Sequence, residues 1–257
     1  MMHVCIKRSG LLWGLLLFFL CCTPVQAEVL HVAVASNFTE PMKQLVTNFE
    51  KESGHDLRVT FGASGKFYAQ IKQGAPFQVF LSADQDKPER LQQEGLILAD
   101  SRFTYAQGAL VLWSAKPSFV DAKGQVLKQK NFKHLALANP KLAPYGLAAI
   151  DVLNKMGLKK QLQAQFVQGE NIAQTYQFVA SGNAELGFVA LSQVMRAGKI
   201  TKGSAWVIPK SFYRPIRQDA VILARAKNNT AARAFFTYLH SQEAQKIIQA
   251  YGYQIQG

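Results

Sequence analysis

The chain has 257 residues, 49% of them hydrophobic, and carries a formal net charge of +13; that length accommodates one large domain or two small ones. Its 29 basic residues are scattered along the chain and no nucleic-acid-binding motif accompanies them, which sets nucleic acid aside as a partner. The basic balance fits a solvated surface with a mild attraction for small anions or anionic membranes.

Lys7 and Arg8 precede the apolar run Leu11–Leu20, and Val25-Gln26-Ala27 supplies the small-x-small pattern cut by signal peptidase. The run falls short of the about 20 residues that a transmembrane span needs. Residues 1–27 are therefore expected to be an export signal cleaved after Ala27, leaving no membrane span and placing the protein in the periplasm. A lipoprotein signal using Cys21 or Cys22 is the alternative, with Leu20 and Cys21 poor neighbours for lipidation. Cys5, Cys21 and Cys22 are the only cysteines. A mature chain without thiols suits an oxidising compartment. Removing Lys7 and Arg8 lowers the charge from +13 to +11.

Val29–Ala35 reads as a buried parallel strand, β-branched and nearly continuous. Ser36 and Asn37 follow, then Met42, Leu45, Val46 and Phe49 at the spacing of a one-faced helix. Asn37 with Glu40 fits a capping box, and Pro41 makes Thr39 an equally good cap. Leu57–Phe61 is a second strand. Gly62-Ala63-Ser64-Gly65-Lys66 then opens a short helix bearing Phe67 and Ile71. Val79–Leu81 is a third strand, followed by a helix framed by Pro88 and Gly95. The βαβαβα order implies a parallel sheet covered by helices.

Ala109–Trp113 is expected to lead into a second lobe, and 117–133 to be a polar, Lys-rich surface stretch. Leu135–Ala138 restarts the strand-then-turn pattern. Pro144-Tyr145-Gly146 begins a helix ending at Gly157, and Ile172, Tyr176 and Val179 mark another. Strands follow at 187–191, 205–207 and 220–223, then two terminal helices. Two α/β lobes joined by crossings near 105–112 and 213–220 fit this order better than one continuous sheet.

The histidines have no metal-type spacing, no Gly-x-Ser-x-Gly elbow occurs, and the cysteines go with the signal. Gly65-Lys66 fails as a P-loop: Thr60 stands where the first glycine belongs, and Phe67 where Ser or Thr would hold magnesium. Asp84, Asp86 and Glu89 read as acids at a helix start rather than a calcium loop. An exported hydrolase would need a base near Ser36 or Ser64, and none stands nearby in sequence. What does recur is a strand end or helix start at Ser36/Asn37, Ser64, Tyr145 and Gly169–Ile172. Singly, each is an ordinary cap; in combination they suit an anion cradle at the carboxyl ends of strands.

Val34-Ala35-Ser36-Asn37, Phe61–Lys66, Gly74–Asp84, Ala138-Asn139-Pro140 with Ala143–Gly146, Gly182–Ala190, and Ser241–Gln245 with Tyr251-Gly252-Tyr253 resemble the periplasmic molybdate-binding proteins of molybdate ABC transporters. The resemblance spans essentially the whole mature chain. It implies a two-lobed (type II) α/β solute-binding fold, with mixed sheets, helices on both faces and a hinge. Lobe 1 would comprise 28–108 plus 218–257, and lobe 2 109–217. One tetrahedral oxyanion, molybdate or tungstate, would be held by Ser36, Asn37, Ser64, Tyr145 and Ile172, the last through its backbone N–H, as at the Tyr145 position. In one branch of the family a strand tyrosine also donates; here Ala190 stands in its place, and Asn37 with Tyr145 fits another branch. Lys66 either reaches the anion or points to solvent. The resemblance further implies a non-enzymatic, cofactor-free monomer that serves an inner-membrane ABC permease. None of the positions expected to face the anion offers a carboxylate, so an anion without a proton is preferred; sulfate is the alternative ligand.

Overall fold

A computed structural model describes residues 27–255 together with Met1; the expected signal segment, its cysteines included, lies outside the described residues up to Gln26. The chain begins with β1 (Val29–Ala35), buried from Val32 onward. A 3₁₀ turn at Ser36–Phe38 leads into α1 (Thr39–Ser53), which buries Met42, Leu45 and Phe49. Gly54, at φ 72°, gives its N–H to the Glu50 carbonyl and ends that helix. Next come β2 (Asp56–Gly62), α2 (Ser64–Lys72), β3 (Val79–Leu81), α3 (Asp86–Gln93) and β4 (Phe103–Gly108).

After one residue, β5 (Leu110–Ser114) starts the other sheet, followed by α4 (Val126–Gln129), β6 (Leu135–Ala138), α5 (Pro144–Lys155) and α6 (Lys159–Leu162). Then come β7 (Phe166–Gly169), α7 (Ile172–Ala180), β8 (Leu186–Ala190) and α8 (Leu191–Val194). A small hairpin of β9 (Met195–Arg196) and β10 (Lys199–Ile200) precedes β11 (Ser204–Val207). The chain returns along β12 (Ile216–Ile222) and closes with α9 (Thr230–Leu239) and α10 (Gln242–Ala250).

The first sheet has the order β2-β1-β3-β12-β4 and the second β11-β5-β8-β6-β7. Within the first, β1 runs parallel to β2 and β3, whereas β12 is antiparallel to both its neighbours. Within the second, β6 is parallel to β7 and β8, and β5 is antiparallel to β8 and β11. Helices cover both, and the result is the expected two-lobed α/β architecture with mixed sheets.

Each lobe has its own core. Leu30, Val32 and Val34 pack with Phe38, Met42 and Phe235 in the first lobe. Leu110, Leu112, Leu135 and Leu137 pack with Val152 and Leu153 in the second. Ala35 and Ala83, at the ends of β1 and β3, belong to the second core, where they join Ala138, Ala143, Tyr145, Ile172 and Ala190. The lobes are thus closed on one another through a seam of small residues at strand ends.

Two expectations need correction. Residues 117–133 are not merely a surface stretch, because α4 lies there and Val120, Val126, Leu127 and Phe132 are buried. Gly124, at φ 66°, lies so close to Trp206 that a Cβ would stand 2.2 Å from its ring. Neither expected cap forms on α1, whose N-cap is Phe38 with no side-chain bond. Thr39 gives its hydroxyl to the Ser36 carbonyl at 2.8 Å, and the Asn37 side chain turns into the protein interior.

Candidate functional site

The five candidate residues lie on four chain segments that converge at the seam, and all are at most 4% exposed. Ser36 follows β1, where the strand turns into the 3₁₀ segment. Its Oγ receives a long bond, 3.4 Å, from the Ala173 N–H in the opposite lobe. Ser64 is the first residue of α2, preceded by Ala63, which has no side chain to cap the helix. The Ser64 Oγ accepts the Ala83 N–H at 2.9 Å. With the acceptor side occupied, the hydroxyl hydrogen is directed elsewhere.

The opposing lobe contributes two helix starts. Pro144 is the first residue of α5 and Tyr145 the second; the N-cap is Ala143, again without a side-chain bond. Gly146 lets this helix sit directly on the end of β6, because a Cβ there would lie 2.1 Å from the Ala138 carbonyl oxygen. Ile172 opens α7. Asn171 caps that helix by accepting the Ala173 and Gln174 N–H groups, each at 3.0 Å. The first N–H of a helix has no partner inside the helix, and this cap leaves that of Ile172 for an outside acceptor. Gln193 holds the next peptide along: its Nε2 donates to the Ile172 carbonyl at 3.0 Å while its Oε1 accepts the Ala190 N–H at 2.9 Å.

Close approach is built in on the other side as well. The Gly65 N–H donates across the seam to the Leu142 carbonyl at 3.0 Å. A Cβ on Gly65 would stand 3.1 Å from both the Cα and the carbonyl oxygen of Leu142.

Asn37 sits at the centre of a buried polar cluster. Its Nδ2 donates to Gln218 Oε1 and to the Tyr253 hydroxyl, both at 2.8 Å, so both amide hydrogens are engaged inside the protein. The Asn37 carbonyl accepts from Ser192 Oγ at 2.8 Å and from the Tyr253 hydroxyl at 2.9 Å. Tyr105 donates to Gln218 Oε1 at 3.0 Å, and Gln218 Nε2 donates to the Tyr145 hydroxyl at 3.2 Å. Burial, and then the neighbouring Tyr253, Tyr105 and Tyr213, hold the Tyr145 hydroxyl well above the usual tyrosine range. Burial pushes Tyr253 up to about 12 against hydrogen bonds that lower it, and holds Tyr105 well above the usual tyrosine range. The cluster is neutral at physiological pH.

Gln218, Tyr253, Tyr105 and Ser192 were not among the sequence candidates. One signal for Gln218 was visible: the polar triplet Arg217-Gln218-Asp219 separates Ile216 from the apolar run Ala220–Ile222. Lys66, whose direction was open, meets Glu170 across the cleft rim at 2.8 Å, with the two side chains 53% and 43% exposed. Among the described residues, none of the five candidates is hydrogen-bonded to a carboxylate, and no cluster of metal-ligating side chains occurs. No described helix is long and apolar enough to cross a membrane. The arrangement can surround a small anion with neutral donors from both lobes.

A model of bacterial extracellular solute-binding proteins matches residues 30–254. The molybdate-binding protein ModA of Azotobacter vinelandii is 57% identical over 92% of this chain and 94% of its own length. This chain belongs to the ModA family of solute-binding proteins. A second member, from Rhodobacter capsulatus, is 50% identical over 90% of each chain. In three dimensions the family fold is seen in the Azotobacter vinelandii periplasmic molybdate-binding protein. That structure superposes with a TM-score of 0.86 and 44% identity, covering 89% of this chain and all of the other.

Proposed function

We propose that this protein is the periplasmic binding component of an ABC importer and captures molybdate, and tungstate with it, as an intact dianion. The observation that carries the reading is the seam itself: buried, closed by two lobes and furnished with neutral hydrogen-bond donors. Stripping water from a dianion is prohibitive unless hydrogen bonds and dipoles replace it. The hydroxyls of Ser36 and Ser64 would donate from lobe 1, and the main-chain N–H groups of Tyr145 and Ile172 from lobe 2. The amino ends of α2, α5 and α7 add favourable dipoles without a counter-ion. Asn37 would contribute chiefly by fixing the first-lobe turn, since both its amide hydrogens are spent internally.

A shell of donors alone favours an oxyanion with no proton. Protonated phosphate would bring an O–H that lacks an acceptor, a loss of about 1–3 kcal/mol. The same logic admits sulfate, and cavity size then decides between the two. The lobes would be 28–108 plus 218–257 and 109–217, with Gly108 and Gln218 flanking the crossings. The mature chain would start at Glu28 after signal cleavage and act as a monomer, releasing its ligand unchanged to an inner-membrane permease.

Calorimetric titration in sulfate-free buffer tests the proposal. Micromolar or tighter binding of molybdate and tungstate, with no heat from sulfate, is expected; a response to sulfate alone overturns the molybdate assignment.

A further inference from the structure

Gln218 joins both lobes without belonging to the donor set. It is 0% exposed and lies on β12 where the pairing with β4 shifts register between Gln218 and Asp219. Such bulges re-aim side chains. Here Gln218 faces the seam cluster, while Asp219 takes bonds from Arg102, Thr104 and Gln85. Through one amide, Gln218 contacts the first-lobe turn at Asn37, the crossing strand at Tyr105 and the first turn of α5 at Tyr145, at 2.8, 3.0 and 3.2 Å.

The crossing is shaped around that pair. A Cβ on Gly108 would fall 2.0 Å from the Tyr145 hydroxyl oxygen and 2.7 Å from Gln218 Nε2. Gly108 is therefore required for space: any side chain there drives Tyr145 and Gln218 apart.

We propose that Gln218 is a positioning residue for anion capture, its amide setting the angle between the lobes at which the Asn37 turn and the Tyr145 N–H converge. This rests on the oxyanion reading above. The position requires one buried, neutral group that accepts twice on one atom and donates from another. Glutamine meets that need; an ionised carboxylate cannot donate and would repel the bound dianion, and a thioether supplies no N–H or O–H donor. By holding the lobes near the bound angle in advance, the amide reduces the ordering left for the ligand to drive.

Gln218→Met and Gln218→Glu test this, titrated with molybdate by calorimetry between pH 9 and pH 5 beside the unsubstituted protein. Titratable groups facing the position are Tyr105 from β4, Tyr145 from α5 and Tyr253 from the C-terminal segment, all neutral over this range, with Asp219 adjacent on its own strand. At pH 9 both variants are expected to lose at least tenfold in affinity. As pH falls, the Gln218→Glu carboxyl protonates and regains a carbonyl acceptor and an O–H donor, so its affinity should climb toward the unsubstituted value. Gln218→Met should stay weak throughout.

A purely structural role would lower thermal stability in both without that recovery. The proposal is overturned if folded Gln218→Met binds as tightly as the parent, or if Gln218→Glu never binds more tightly than Gln218→Met at any pH. Should Gln218→Met not fold, Gly108→Ala breaks the same contact from the other side, with the same tenfold loss expected and unaltered affinity overturning the proposal. Failure of the unsubstituted protein to bind molybdate refutes the molybdate reading itself and is told apart by that control.

Discussion

Two of the ties between the lobes differ in burial and in charge. At the hinge side, Asn37, Ser192, Gln218 and Tyr253 are 0–4% exposed and neutral, joined by bonds of 2.8–3.0 Å. At the rim, Lys66 pairs with Glu170 at 2.8 Å and Arg196 with Glu40 at 3.6 Å, all four side chains 39–53% exposed. An exposed pair contributes about 0–1 kcal/mol and is screened by salt. A buried polar group that loses its partner costs about 1–3 kcal/mol. The geometry of closure is therefore held inside, by uncharged groups, and the visible ion pairs only adjust it.

The largest break in that comparison is Asn37→Ala. It removes two donors at once, leaving Gln218 Oε1 with only its bond from Tyr105 and the Tyr253 hydroxyl without the donor from Asn37. Urea unfolding should show a loss of about 1–3 kcal/mol, with molybdate affinity falling as well; unchanged stability would mean that the cluster does not hold the seam. Ser64→Ala comes next. Affinity measured by calorimetry should weaken by about 1–3 kcal/mol, and a variant that binds like the parent would place the anion elsewhere.

Alkaline titration probes the hinge tyrosines. Their folded values are raised, to about 12 for Tyr253, while the unfolded tyrosine lies near about 10. The unfolded chain thus loses protons first. Stability is full below about pH 10 and declines as pH rises through the folded values. Melts that begin to fall well below pH 10 would contradict a buried, neutral cluster. The smallest effect belongs to the rim: Lys66→Ala should cost under about 1 kcal/mol in affinity, and the difference should vanish in high salt. A larger, salt-independent loss would give Lys66 a direct role at the anion.

Local signals were legible in the sequence where chain chemistry acts over a few residues. Gly54 and Gly157 ended helices at φ 72° and 70°, and Asn171 capped α7. The positions of Ser36, Ser64, Tyr145 and Ile172 at a strand end or a helix start were legible because such boundaries announce themselves within about four or five residues. The hinge cluster was not legible, because its bonds join residues 181 and 216 positions apart. Asn37 shows the limit most clearly. Its neighbours in sequence suggested a cap, but burial beside Gln218 and Tyr253 satisfied its amide better than the end of α1 could. The stretch 117–133 misled for a related reason: its lysines and other polar residues are interspersed among the few apolar residues that anchor it.

The two halves of the cleft also differ in what a change of codon can reach. A serine hydroxyl in the first lobe disappears with one substitution. The N–H groups at Tyr145 and Ile172 belong to the peptide and survive every replacement except proline. At Ile172 proline would fit, since the first residue of a helix is where its ring is tolerated and Asn171 is already extended at φ −140° and ψ 174°. Half of the proposed shell would thus be written in backbone and resist mutation, so inherited shifts in anion preference would have their natural foothold in the first lobe.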